Sequence, residues 1–215
     1  MKRIPLAGFI IILLVFAACK KEVSVEEPVT ANACDYAPYT TGSVFEYEMV
    51  DVATQDTLDY TLRVEGDTVY NGDDFRKLTD DFTGEYSLFR CGGGDYEQLL
   101  DVSSIPNAPA DPIKTVYLKD DIALGQSWEE LLPVTLPVIG DINITITYTI
   151  MQKGTGKNVL GTQYNDVIGV RMEVSVPPIL PPETLTTNFY AKGVGLIQVD
   201  RVEDTTRLRS YTLVK

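Results

Sequence analysis

Residues 142–151 read INITITYTIM. Ile142, Ile144, Ile146, Tyr148 and Ile150 fall on one side of an extended chain, and Asn143, Thr145, Thr147, Thr149 and Met151 on the other. Side chains alternate with a period of two only in a strand, and β-branched residues are at home on a pleated surface. The run therefore commits this segment to a half-buried strand. "SVFEYEMV" repeats the pattern with Phe45, Tyr47 and Met49 against Glu46 and Glu48. "TLDYTLRV" does so with Leu58, Tyr60, Leu62 and Val64 against Asp59, Thr61 and Arg63. These two flank a short turn and predict a hairpin.

Further strands are expected at 67–70, 74–79, 85–90, 95–100, 114–118, 166–176, 184–191, 194–202 and 206–214. Turn signals separate them: Glu65-Gly66-Asp67, Asn71-Gly72-Asp73, Cys91-Gly92-Gly93-Gly94, Gly154-Thr155-Gly156 and Glu203-Asp204-Thr205. Such spacing predicts an all-β antiparallel meander. One helical turn competes at Ser127–Leu132, where Ser127 can cap "WEELL" before Pro133 ends it. Two segments break the rhythm. "SSIPNAPADPIK" reads as a proline-punctuated loop, and "PPILPPE" (177–183) as an exposed rim loop, because proline cannot donate to a ladder. Ile179 and Leu180 at its tip pack back on the sheet or meet a partner or membrane. "TTGSVFEYE" (40–48) and "ALGQSWEEL" (123–131) echo each other faintly, as two halves of a duplicated sheet or as a coincidence of turn chemistry.

The N-terminus carries an address. Lys2 and Arg3 precede an apolar run, Ile4 to Ala18, that ends "FAAC" at Cys19. This is the pattern of an export signal, and it is shorter than the roughly 20 apolar residues that span a bilayer. Ala17-Ala18-Cys19 resembles a bacterial lipobox, although Phe16 stands where leucine is usual. The resemblance implies lipidation of Cys19, and Lys20 rather than Asp after it implies the outer membrane. The expected organisation is a signal peptide over 1–18, a polar tether over 19–33 and a single β domain over 34–215. Cys34 and Cys91 are then the remaining thiols in an oxidising compartment, which favours a disulfide over two free buried thiols.

Charge and composition exclude several chemistries. Without residues 1–18 the chain has 16 Lys+Arg against 31 Asp+Glu, a net charge of −15. Such acidity argues against nucleic acid as a partner. The chain has no histidine, which removes Ser-His-Asp and Cys-His catalysis and His-ligated zinc. The expectation is a non-enzyme without cofactor or metal. Asp73-Asp74, Asp80-Asp81 and Asp120-Asp121 lack the spacing of a calcium loop and read as turn carboxylates. The glycines of Lys192-Gly193-Val194-Gly195 fall short of a nucleotide fingerprint and read as a hairpin corner.

Aromatic residues crowd the first half of the chain. Phe45, Tyr47, Tyr60 and Tyr148 are candidates for a ligand face on a curved sheet, with ordinary strand packing as the alternative. Thr57, Thr68 and Thr205 each follow Asp in a pattern that resembles the O-glycosylation sequence of exported Bacteroidetes proteins, and is also common turn chemistry.

Taken in order, "YTTGSVFEYE", "YSLFRCGGGDYEQL", "LGQSWEE" and "NFYAKGVGLIQ" resemble uncharacterised Bacteroidetes lipoproteins that end in such a Tyr-Ala-Lys-Gly-x-Gly-Leu strand pair. The resemblance implies a single, strongly curved antiparallel sheet, similar to the open half-barrels of periplasmic lipoprotein carriers. A closed barrel or a sandwich is the alternative. It implies no activity. The expected function is a membrane-anchored binding module for a hydrophobic or glycan ligand. The alternatives are an accessory subunit of an envelope protein complex and, last, an acid-based hydrolase.

Overall fold

A computed structural model describes residues 34–100, 111–136 and 140–214. The chain divides into two units, Met1–Thr30 and Ala31–Lys215, and every described residue belongs to the second. The expected signal peptide, Cys19 and the tether up to residue 33 lie outside the described residues, as does most of the "SSIPNAPADPIK" loop.

Twelve strands form one sheet. They are β1 (Val44–Asp51), β2 (Thr57–Tyr70), β3 (Asp73–Asp80), β4 (Tyr86–Gly92), β5 (Asp95–Leu100) and β6 (Ile113–Lys119), then β7 (Ser127–Leu136), β8 (Gly140–Val159), β9 (Thr162–Val176), β10 (Leu180–Ala191), β11 (Gly195–Asp200) and β12 (Asp204–Thr212). Their order across the sheet is β6-β5-β4-β3-β2-β1-β12-β11-β10-β9-β8-β7, all antiparallel. The chain is thus two six-stranded meanders, joined in mid-sheet by the β1–β12 ladder from Val44↔Thr212 to Asp51↔Asp204.

The sheet curls until its edges meet, as a nearly closed barrel with an unsealed seam between β6 and β7. No ladder joins these strands. The Trp128 Nε1–H of β7 instead donates to the Val116 carbonyl of β6 at 2.7 Å, and the Val116 N–H donates to Glu130 Oε1 at 3.2 Å. Both edge groups of Val116 are satisfied by side chains. Below the seam, Leu132 and Val134 pack with Leu100, Ile113, Ile142 and Ile144. The curvature goes further than an open half-barrel, and a sandwich is excluded because there is one sheet.

The faint repeat corresponds to a structural one. Gly42 and Gly125 both take positive φ, +86° and +82°, before the first strand of each meander. Gly42 N–H donates to Val64 O at 2.8 Å and Val64 N–H returns to Ser43 O at 2.9 Å. Gly125 N–H donates to Ile150 O at 2.8 Å and Ile150 N–H to Gln126 O at 3.0 Å. The second strand of each meander then shifts register directly after these residues, at Val64/Gly66 and at Ile150/Gln152. The following hairpins turn at Asn71-Gly72 and Leu160-Gly161 with matching positive φ values. The β6–β7 seam is therefore the counterpart of the β1–β12 ladder.

Several local expectations are corrected. Glu65-Gly66-Asp67 and Gly154-Thr155-Gly156 do not end strands. They sit inside β2 and β8 as bulges, which also call for glycine. The true β8–β9 turn, Leu160-Gly161, escapes a reading based on Asn-Gly because leucine rarely takes φ of +50°. Ser127–Leu132 is strand rather than helix: Trp128 and Leu132 face inward in register with Tyr148 and Ile144. Pro133 is tolerated because β7 is an edge strand. The "PPILPPE" loop is shorter than expected. β10 begins at Leu180, and Pro181 and Pro182 fall where its pairing with β9 skips from Leu180 to Glu183.

Candidate functional site

Residues 34–43 form a strap across one mouth of the barrel. Cys34 is disulfide-bonded to Cys91 of β4, with Cα atoms 5.8 Å apart. The Tyr36 N–H donates to the Tyr96 hydroxyl of β5 at 3.3 Å, and the Tyr36 hydroxyl donates to Asp166 Oδ1 of β9 at 3.0 Å. At the far side the Gly193 N–H donates to Asp35 O at 2.6 Å, and Lys192 pairs with Asp35 at 3.1 Å. The Tyr39 ring packs edge-on against Phe45 and Phe89. It also lies over Gly195 (φ +102°), where an added Cβ would approach the ring to 3.3 Å. The "AKGVGL" glycines thus serve a hairpin corner on which the strap rests.

Beneath the strap the interior is filled by aromatic rings. Of the four candidate ligand-face residues, Phe45, Tyr47 and Tyr148 are no more than 2% exposed and Tyr60 is half-buried. Tyr47 stacks on Tyr60 and Tyr148 on Trp128, and the Tyr47 hydroxyl donates to Leu196 O at 2.9 Å. Burial pushes the hydroxyls of Tyr39, Tyr47, Tyr117 and Tyr190 above the ordinary phenol range, and that of Tyr148 up to about 12. In this structure Phe45, Tyr47 and Tyr148 are core, and the half-buried Tyr60 packs against it.

Open space lies at the strap's edge. A groove of about 550 Å³ runs between the strap and the β2–β4 strands. Ala37, Pro38 and Tyr39 line one side, Phe89 and the Cys34–Cys91 bridge the floor, and Asp67, Asp74 and Arg76 contribute charge. Arg76 is committed to Asp67 at 3.1 Å and to the Thr41 hydroxyl at 2.9 Å. Arg90, also in the lining, is held by Asp73 at 2.7 Å and Glu97 at 3.8 Å. Asp74 is exposed and in no ion pair with any described residue. Sequence reading missed the groove. Asp67 and Asp74 read as turn residues, and no local signal places them beside the strap.

In the second meander a lysine braces the connection that matches the strap. Counted from Gly42 and Gly125, Ala37 and Tyr39 match Asp120 and Ile122, whereas β8 runs three residues longer than β2 between Ile150 and its turn, so Lys153 has no single counterpart in β2. The Lys153 ammonium donates to the carbonyls of Asp120 at 2.7 Å and Ile122 at 2.6 Å. Beside it, Asp120 accepts the Tyr96 hydroxyl at 2.8 Å. Its carboxyl is raised chiefly by burial, against the Tyr96 bond, with the neighbouring Asp121 charge adding to the rise.

Elsewhere, Asp80 accepts the N–H groups of Phe82 and Thr83 in a turn, and Asp81 pairs with Arg63. Thr57 is exposed, whereas Thr68 and Thr205 are half-buried.

No family model matches the chain, and no curated protein matches it. Similar solved structures include a Bacteroides fragilis protein described as exported and of YmcC-like fold, with 12% identity over 80% of this chain and 96% of that one (TM-score 0.46). A Parabacteroides distasonis protein described as a lipoprotein shows 10% identity over 82% and 98% (TM-score 0.45). The hypothetical lipoprotein YmcC of Escherichia coli shows 10% identity over 85% and 89% (TM-score 0.36). At this distance the likeness extends to no activity, partner or location.

Proposed function

We propose that the chain is a lipid-anchored, non-catalytic envelope protein that binds a small ligand of glycan character in the mouth groove rather than inside the barrel. The observation that carries this reading is the open groove of about 550 Å³ between the strap and the β2–β4 strands. Exposed carboxylates and a fixed guanidinium beside Phe89, Tyr39 and Pro38 form the mixture of polar and flat apolar surface that suits a sugar. The signal sequence and Cys19 support the anchoring. The test is native mass spectrometry of the protein purified from its own envelope. A retained small molecule, lost on Asp67→Lys substitution, is expected. A bare polypeptide with a stoichiometric protein partner would replace this reading.

That replacement is the second reading, an accessory subunit of an envelope complex. It is favoured by apolar hairpin tips in the open: Phe82 is 83% and Val202 79% exposed. Val52, also exposed, lies beside Val202 because its N–H donates to Glu203 O at 2.8 Å.

A further inference from the structure

The turns at the end of the strands away from the strap share a build. Because every ladder is antiparallel, the β1–β2, β3–β4 and β11–β12 turns all lie at this end, and the groove lies at the other. Each of the three presents an exposed apolar residue: Val52, Phe82 and Val202. Val52 and Val202 are neighbours through the bond from the Val52 N–H to Glu203 O. Leu185 of β10, also exposed, extends the row two residues beyond the Thr187↔Asp200 pair. Each turn is fixed by its own side chains. Asp51 accepts the N–H groups of Ala53 and Thr54, Asp80 accepts those of Phe82 and Thr83, and Arg201 pairs with Asp204 across the third. The apolar residues are thus held out on turns already ordered, which lowers the cost of docking.

We infer that this end of the barrel docks on a partner protein whose surface is basic around apolar sockets. The inference rests on the second reading above and does not involve the groove. Charge decides the class of partner. Residues 51–57, 80–86 and 200–204 contain no lysine, and their one cation, Arg201, is taken by Asp204. Asp81 is paired with Arg63. Asp56, Glu85 and Glu203 are exposed and in no ion pair with any described residue. The uncompensated charge among the apolar residues is therefore all negative. A second copy of the chain would bring the same carboxylates against one another across a two-fold axis. An anionic bilayer would repel them. A basic protein surface answers both the exposed apolar residues and the charge around them.

The test is photo-crosslinking from the full-length chain in its own envelope, with a benzophenone amino acid in place of Val52, Phe82 or Val202. Leu160, exposed in the β8–β9 turn at the strap end, is the control position. The three turns should capture the same protein and Leu160 should not. That protein, purified, should bind the parent chain more weakly as NaCl rises from about 50 to about 500 mM. Val202→Asp should weaken binding at least about tenfold, and Glu203→Lys by a similar factor, with the melting temperature of both variants kept. Capture of lipid alone, of a second copy, of a different protein from each turn, or of nothing overturns the inference. Binding of the purified protein that Val202→Asp leaves unchanged overturns the placement. Binding that neither salt nor Glu203→Lys alters overturns the basic partner. In each of these cases a stoichiometric protein retained in native mass spectrometry still upholds the subunit reading, and a chain that retains no protein from its envelope removes that reading as well.

Discussion

The strap's covalent bond gives the most quantitative expectation. Cys34 and Cys91 are 57 residues apart, so the bridge removes from the unfolded chain the freedom of a loop of that length. The chain-entropy relation gives about 4 kcal/mol for such a loop near room temperature. Replacing both cysteines, C34S/C91S, should lower the unfolding free energy by up to that amount, which for a domain of this size corresponds to roughly 10 °C in melting temperature. The native strap should remain docked, because Tyr36, Asp35 and Tyr39 keep their contacts with Asp166, Gly193 and Phe89. The near-ultraviolet circular dichroism of the aromatic interior should therefore be preserved, while the urea dependence steepens as the unfolded chain becomes more extended. Urea and thermal unfolding of the oxidised protein and the variant measure both. A melting temperature within about 2 °C of the parent would refute the loop-entropy reasoning. A lost aromatic signal would show instead that the bridge, not the packing, holds the strap in place.

Trp128→Phe keeps an aromatic ring to stack on Tyr148 but removes the donor to Val116 O, and should cost about 1–2 kcal/mol. Hydrogen exchange should quicken along Ile113–Lys119, and unchanged protection there would contradict the account of the seam. Gly195→Ala should cost more than Gly193→Ala. Both positions have positive φ, worth about 1–2 kcal/mol each, but only at Gly195 does the new Cβ press on Tyr39. Equal losses, read by urea unfolding, would remove Tyr39 from the argument. Stability should fall as pH rises above about 10, where tyrosines of the unfolded chain ionise. Burial raises the folded-state values, so the neutral hydroxyls' contribution is complete below that pH and is lost on passing through the folded values, near 12 for Tyr148. With the exposed Tyr86 and Tyr211 replaced by Phe, phenolate absorbance should appear together with unfolding, and its appearance in the folded variant at lower pH would contradict the burial.

The strands were legible where alternation was strict, as in Ile142–Ile150, and where apolar and acidic residues took turns, as in Phe45–Met49. Glycine was the ambiguous letter. A turn and a bulge both need it, and only the partner strand decides, which is why Gly66 and Gly154 read as strand ends. Ser127–Leu132 illustrates pairing overriding local preference: a segment able to start a helix is held by Thr149, Tyr148 and Thr147 across from it. The seam and the groove were not legible, for a different reason. Each arises where segments distant in sequence meet, Val116 with Trp128 and the strap with Asp67, and no local pattern encodes such a meeting. The echo between 40–48 and 123–131 was the one sequence trace of the two-meander repeat, and its meaning depended on hydrogen bonds to Val64 and Ile150.

The two-meander layout also sets the order in which the domain can be completed. All but one of its ladders join strands consecutive in the chain, and these can form as hairpins while synthesis proceeds from the N-terminus. The exception pairs the first strand with the last. The edge of β1, which carries Phe45 and Tyr47, has no partner until β12 has emerged, and the sheet is then joined at its centre rather than at its rim. This edge stays open the longest during synthesis, because the domain cannot close before its final strand arrives.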